Sequence, residues 1–305
     1  MRVAKSLIVA AFASLLALGS AAEARTRAEC ERDYKPQVGQ AGKDVIWVPT
    51  PDDLVNRMLT MARVTAKDYV IDLGAGDGKI AIAAGKNFGA TALGIEYNPD
   101  MAKLAQCYVL AEGAAGNVKI IQGDIFKEDF SRATVVTMYL LPELNLCVRH
   151  RLLAMKPGTR VTSHAFTMGE WEPDEQASVE YRTAYLWIVP ARVGGNWTLR
   201  DGTGGTELTI ALNQSFQKVG GEVTVGGRKQ SLMGVSLQGD TLRFSFSDAK
   251  GVTRHFTGTV RGTVLGGTLR AAGTADLEVS GSAQGALAAA PWTDMADGCG
   301  RFYGK

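Results

Sequence analysis

Residues 69–79 read Tyr-Val-Ile-Asp-Leu-Gly-Ala-Gly-Asp-Gly-Lys, and no other stretch narrows the choice of fold as far. Val70, Ile71 and Leu73 form a short apolar run with β-branched character that stops at a glycine cluster. That is the pattern of a buried parallel strand entering a turn. Gly74, Ala75, Gly76, Asp77 and Gly78 follow, and a helix is expected to begin near Lys79. Glycines at alternate positions let the backbone turn sharply and come close to a ligand, with amide N–H groups facing it at a helix N-terminus. Spacing excludes two familiar phosphate cradles. A G-x-G-x-x-G fingerprint would need glycine where Lys79 stands, and a P-loop would need its first glycine where Leu73 stands.

A second strand is predicted over residues 91–95, with Glu96 directly after it. An acid at this distance from a glycine loop is where nucleotide-binding α/β folds keep a ribose-binding carboxylate. Together, Asp-Leu-Gly-Ala-Gly-Asp-Gly (72–78) and Gly-Ile-Glu-Tyr-Asn-Pro (94–99) resemble the first two motifs of class I S-adenosylmethionine-dependent methyltransferases.

The alternation continues beyond Glu96. Asn98-Pro99-Asp100 can start a helix running to Glu112, residues 118–122 and 134–140 read as strands, 143–155 as a helix stopped by Pro157-Gly158, and 159–166 as a fifth strand. Residues 178–189 read as one further strand. Upstream, Thr50 is suited to cap a helix with Pro51 at its first position and Asp53 in its first turn, running to about Val64. Strand and helix alternating in this way imply a parallel sheet covered on both faces, with ligands at the carboxyl ends of the strands. Asp72, Glu96, Asp124 and Tyr139 each fall at such an end, so four elements converge on one rim. Singly, each has a plain structural reading: a loop hydrogen-bonder, a helix-dipole partner, an Asx turn, a half-buried aromatic.

The expected class is therefore α/β, a Rossmann-like doubly wound sheet, followed by an antiparallel β meander forming a small barrel or sandwich. The second part is read from residues 191–285, which hold 19 of the 36 glycines, show no helical period and alternate as Leu208, Ile210, Leu212 or Leu242, Phe244, Phe246. The organisation predicted is a signal peptide at 1–24, a first domain at 25–190 and a β-rich domain at 191–305. Arg2 and Lys5 precede an apolar core too short to span a bilayer, and Ala22-Glu23-Ala24 offers a cleavage site, so a periplasmic or secreted location is expected. Past residue 24 the chain carries 31 bases against 30 acids, which gives no electrostatic case for nucleic acid or an anionic membrane surface. No membrane span is expected once the signal is removed.

Four cysteines, Cys30, Cys107, Cys147 and Cys299, lack zinc-type spacing and allow three pairings in an oxidising compartment. Cys107 and Cys147 fall on predicted helices and read as buried thiols, which leaves a Cys30–Cys299 bridge between the termini as the hypothesis. The three histidines, His150, His164 and His255, are too scattered for a metal cluster, and no metal dependence is expected.

The resemblance implies S-adenosylmethionine as cofactor. Glu96 would accept hydrogen bonds from the ribose diol, Asp72 would attract the cationic amino group directly or through water, and backbone amides of Gly74, Ala75, Gly76, Asp77 and Gly78 would cradle the methionine tail. Asp124 would meet the adenine amine and Ile125 would pack near the ring. The fourth strand ends in Tyr139-Leu140-Leu141-Pro142, without the Asn/Asp-Pro-Pro-aromatic turn of amide- or base-modifying enzymes. With Val48-Pro49-Thr50-Pro51 and the loop, this turn is similar to bacterial relatives of the ATP-synthase c-subunit lysine methyltransferases, over residues 45–166. That likeness implies a protein lysine acceptor, with Tyr139 orienting it. The segment carrying Trp47 reads either as a lid over the cofactor or as packing against the sheet. An exported methyltransferase is the leading reading; the alternative is a secreted non-catalytic module that keeps a nucleoside or S-adenosylmethionine site.

Overall fold

The computed structural model describes residues 25–290, 292 and 294–304. The predicted signal peptide lies outside them. In chain order the first half runs α1 (Arg27–Asp33), α2 (Asp52–Met61), β1 (Tyr69–Leu73), α3 (Lys79–Phe88), β2 (Thr91–Glu96), α4 (Pro99–Ala111), β3 (Val118–Gln122), β4 (Val135–Met138), α5 (Pro142–Leu153), β5 (Arg160–His164), β6 (Glu175–Val179) and β7 (Arg182–Ile188). These strands form one seven-stranded sheet of order β3-β2-β1-β4-β5-β7-β6. The first five are parallel, and β7 and β6 add antiparallel at the β5 edge. Strand order reverses between β1 and β4, so the crevice above their carboxyl ends is the switch point where α/β folds bind ligands.

Local chemistry explains most element starts. Asn98 caps α4 by accepting from the Asp100 and Met101 N–H groups at 2.9 and 3.0 Å, with Pro99 in the first turn. Gly78 enters α3 at φ 79°, a left-handed conformation open to glycine at little cost. The start of α2 differs from expectation. Pro51, not Thr50, is its N-cap, and the Thr50 hydroxyl instead meets His164 Nδ1 at 3.0 Å. A buried imidazole needs a polar partner more than a helix end open to water needs a cap. The single strand expected over 178–189 is a hairpin, β6 and β7, turning at Glu180 with φ 53°. No glycine or asparagine marks that turn.

Helices cover both faces. Leu54, Met58, Leu59, Val70, Ile80, Ala84, Leu104 and Tyr108 pack on one side. On the other, Ile71, Leu73, Val136, Met138, Val148, Leu152, Trp171 and Trp187 form the core. The two faces decide the cysteine pairing. Cys30 lies in the first core and Cys299 in the second, so the sheet separates them. The bridges are Cys30–Cys107, joining α1 to α4, and Cys147–Cys299, joining α5 to the carboxyl-terminal segment. This corrects the Cys30–Cys299 hypothesis and the reading of Cys107 and Cys147 as thiols.

Strands β8 (Gly195–Asp201), β9 (Glu207–Ser215), β10 (Lys218–Val225), β11 (Arg228–Ser231), β12 (Met233–Gln238), β13 (Thr241–Ser247), β14 (Thr253–Arg261), β15 (Val264–Arg270) and β16 (Leu277–Ala283) build a second, antiparallel sheet of order β11-β10-β9-β8-β16-β15-β14-β13-β12. It curls until β12 returns beside β10, a nearly closed barrel around Trp197, Ile210, Phe244, Phe246, Phe256 and Leu265. Glycine permits the tight curl. A Cβ on Gly281 would lie 1.7 Å from the Thr198 carbonyl, and one on Gly267 2.3 Å from that of Thr257. The barrel is tied to the first sheet by Phe216, stacked on Trp171 at 6.3 Å, and by Trp292 against Phe216 at 5.2 Å. Helix α6 (Gly300–Tyr303) then returns to the first sheet, where Phe302 stacks on Phe126 at 5.0 Å. Among the described residues no helix is long and apolar enough to cross a membrane.

Candidate functional site

A cavity of about 260 Å³ opens above the carboxyl ends of β1, β2, β3 and β4. Its walls contain Asp72, Gly74, Ala75, Gly76, Asp77, Glu96, Asp124, Ile125 and Tyr139. Nine of the ten residues singled out in the sequence thus meet in one hollow. Gly78 does not line it. It lies beneath, where an added Cβ would come within 3.1 Å of Ala105 and 3.3 Å of Ile120.

The acids are held by the backbone. Glu96 Oε2 accepts from the Gly76 N–H and Oε1 from the Asn98 N–H, each at 2.8 Å, so one carboxylate braces the glycine loop against the start of α4. Burial pushes its pKa up against those hydrogen bonds. Asp72 is 2% exposed, and its Oδ1 accepts from the Thr137 hydroxyl at 2.6 Å across the β1–β4 pair. Its pKa is pushed up to about 7, first by burial, with Asp77 and Glu96 adding repulsion and Thr137 opposing. Asp77 is also raised by burial, against the pull of Lys79. One buried acid, Asp72, and two half-buried ones, Asp77 and Glu96, face one hollow and favour a cationic ligand group.

Asp124 begins the turn after β3. Its Oδ1 accepts from the Phe126 N–H at 3.0 Å, and its Oδ2 from Lys43 Nζ at 2.8 Å. Ile125 and Phe126, both buried, form the apolar wall beside it. Across the cavity β4 stops at Met138, earlier than its apolar run suggested, so Tyr139 and Leu140 leave the ladder and line the hollow. The Tyr139 ring lies 3.8 Å from that of His164, centroid to centroid. Burial, with Arg182 adding, holds His164 down to about 4, so this ring is neutral near pH 7.

Several wall residues escaped the sequence reading. Phe166 reaches the cavity because Ala165 takes φ 64° after β5, a left-handed turn on a residue that carries no sign of it. Residues 39–47 form a hairpin across the opening, held by Gly39 N–H to Trp47 O at 2.8 Å and Trp47 N–H to Gln40 O at 2.9 Å. Its Trp47 lies on the glycine loop, with Nε1 2.7 Å from where a Cβ on Gly76 would stand. The Trp47 segment therefore covers the cavity and also packs, through the indole, against the helix-side core. Lys43, at the hairpin tip, had no signal in the sequence. Among the described residues no group of three or more His, Cys, Asp and Glu side chains could hold a metal ion.

The donor set fits a sulfonium nucleoside. Paired oxygens of Glu96 suit a diol, Asp72 suits an ammonium group, and the Asp124 turn with its apolar wall suits an adenine edge and face. A family model described as the ANTKMT methyltransferase domain matches residues 72–175. The chain is 42% identical over 151 residues to a protein-lysine N-methyltransferase of Saccharolobus islandicus, covering 48% of this chain and 94% of that one. It is 30% identical over 129 residues to the human lysine N-methyltransferase named for the C-subunit of ATP synthase, of which it spans 54%. Among solved structures, an RNA methyltransferase from Salinibacter ruber in complex with S-adenosyl-L-homocysteine has 46% identity, covering 48% of this chain and 96% of that one, with a TM-score of 0.47.

Proposed function

Since the chain belongs to the class I S-adenosylmethionine-dependent methyltransferases related to the ATP-synthase c-subunit lysine methyltransferases, we propose that it methylates the ε-amine of a lysine in an exported protein. The observation that carries the reading is the convergence of Asp72, Glu96 and Asp124, from three neighbouring strands, on the cavity under the glycine loop. The cofactor supplies a methyl carbon already activated by its sulfonium, so the protein's task is alignment and exclusion of water. In this reading Glu96 holds the ribose hydroxyls, Asp72 the amino group, residues 74–78 the methionine tail, and Asp124 with Ile125 the adenine.

An amine acceptor must arrive without its proton. Leu140, Leu141, Leu144 and Phe166 give the cavity an apolar side near Tyr139, and such surroundings lower an amine's pKa. Tyr139, backed by the neutral His164 that Thr50 pins, is positioned to orient the amine without adding a second positive charge. The archaeal relative, named as a protein-lysine methyltransferase, supports the acceptor class. Export is supported by the signal-like pattern of residues 1–24 and by two disulfides that use all four cysteines, which persist in oxidising compartments.

The test is transfer of labelled methyl from S-adenosylmethionine into a periplasmic extract, followed by peptide mass spectrometry. Methyllysine in an exported protein is the expected product. Label only in nucleic acid or small molecules, or only in cytoplasmic proteins, would sink the acceptor assignment while leaving the enzyme class standing.

A further inference from the structure

The hairpin across the cavity ends in a tight turn in which the Gly42 N–H donates to Val45 O at 2.7 Å, and Lys43 and Asp44 stand at its tip. Gly42 is required there, since a Cβ would lie 2.6 Å from that carbonyl oxygen. From the tip, Lys43 reaches inward rather than into solvent. Its ammonium group hydrogen-bonds Asp124 Oδ2 at 2.8 Å, stands 4.9 Å over the Tyr97 ring and 5.8 Å from that of Phe126, and has Asp44 3.6 Å away. Only 18% of the side chain is exposed. Asp124 Oδ1 accepts from the Phe126 N–H and Oδ2 from Lys43, so Lys43 holds the oxygen that no backbone donor uses.

A cation set on a carboxylate and facing two aromatic rings takes up the features that an adenine would use here: an amine donor to Asp124 and contact with the flanking rings. We propose that Lys43 is the internal occupant of the adenine subsite, and that the cofactor binds by exchanging the Lys43–Asp124 contact for its own. The proposal rests on the cofactor placement argued above and adds a competitor to it. Lys43 on the hairpin and the adenine amine then compete for the same Asp124 oxygen, and binding of one releases the other. Trp47, on the same hairpin, stays on the glycine loop in either state because its backbone bonds to Gly39 and Gln40 do not involve the tip.

Removing a competitor tightens binding, whereas removing a ligand contact weakens it, so the sign of one measurement decides. Titration calorimetry with S-adenosylhomocysteine and with adenosine alone should show Lys43→Met binding both about 3- to 10-fold more tightly than the wild type, the range of a partly exposed ion pair. Lys43→Arg, which keeps the cation, should stay within about twofold. Equal affinity, or weaker binding by Lys43→Met, would overturn the proposal, as would tightening for S-adenosylhomocysteine without tightening for adenosine. A measurement on the wild type guards against a folding effect of the variant. Amine acetylation read by peptide mass spectrometry should label Lys43 slowly in the free protein and faster with adenosine present, and slower labelling with adenosine would contradict the exchange. If neither wild type nor variant binds either ligand, the cofactor placement itself falls.

Discussion

Asp72 should make cofactor affinity depend on pH, with a sign opposite to its effect on stability. Its carboxyl is pushed up to about 7, mainly by burial. An ammonium group beside it favours the ionised form, so below that pH the ligand must displace a proton in order to bind. If the bound ligand brings the carboxyl back to about 5, affinity for S-adenosylhomocysteine falls about 20-fold between pH 8 and pH 5.5. Stability runs the other way. The folded-state value lies above the unfolded one of 3.8, so the residue's contribution is most favourable below about pH 4 and is lost as pH rises through about 7. The gap between 3.8 and about 7 bounds that loss at about 4 kcal/mol. Asp72→Asn keeps an acceptor for the Thr137 hydroxyl while removing the charge. The variant is expected to be more stable than wild type at pH 8 by about 1–3 kcal/mol, to bind S-adenosylhomocysteine more weakly, and to lose most of the pH slope. Calorimetric titrations across pH 5.5–8 and urea melts at pH 8 measure all three. A wild-type affinity flat over that range, or an Asn variant that keeps the same slope, would refute the role given to Asp72.

Glu96→Ala removes the 2.8 Å hydrogen bonds from the Gly76 and Asn98 N–H groups and the proposed diol acceptor, so S-adenosylhomocysteine affinity should drop by about 1–3 kcal/mol; an unchanged Kd would put the ribose elsewhere. Gly76→Ala places a Cβ 2.7 Å from Trp47 Nε1 at φ 55° and should cost about 1–3 kcal/mol in a thermal or urea melt, part of which Trp47→Ala should return. Non-reducing peptide maps should yield Cys30–Cys107 and Cys147–Cys299 linkages, and free thiols or a Cys30–Cys299 peptide would contradict the packing of the two faces. Because Cys147–Cys299 spans 152 residues, Cys299→Ser should lower stability by about 2–5 kcal/mol.

The legible parts of this protein are those whose cause is local. Residues 69–79 carry a strand, a turn and a helix start in consecutive side chains, and the parallel sheet that follows forces each strand's carboxyl end onto one rim, so Asp72, Glu96 and Asp124 could be placed together before any contact was known. What covers that rim could not be read in the same way. Thr50 has the chemistry of a helix cap, and only the distant His164, 114 residues on, draws its hydroxyl away. Phe166 enters the cavity through a left-handed turn at Ala165 that no residue type announces, and Lys43 becomes a cavity group only because a hairpin without periodic pattern crosses Asp124. The cysteines give the sharpest case. Pairing by sequence favoured the two near the termini, yet α1 packs against α4 on one face of the sheet while the last helix returns to α5 on the other. The same geometry sets how the cavity is enclosed. Phe302, held near Cys147 by the second bridge, stacks on Phe126, whose own backbone fixes the Asp124 carboxylate. The carboxyl-terminal segment therefore bears on the proposed adenine wall through one intervening ring, a connection made by the fold and written in neither motif.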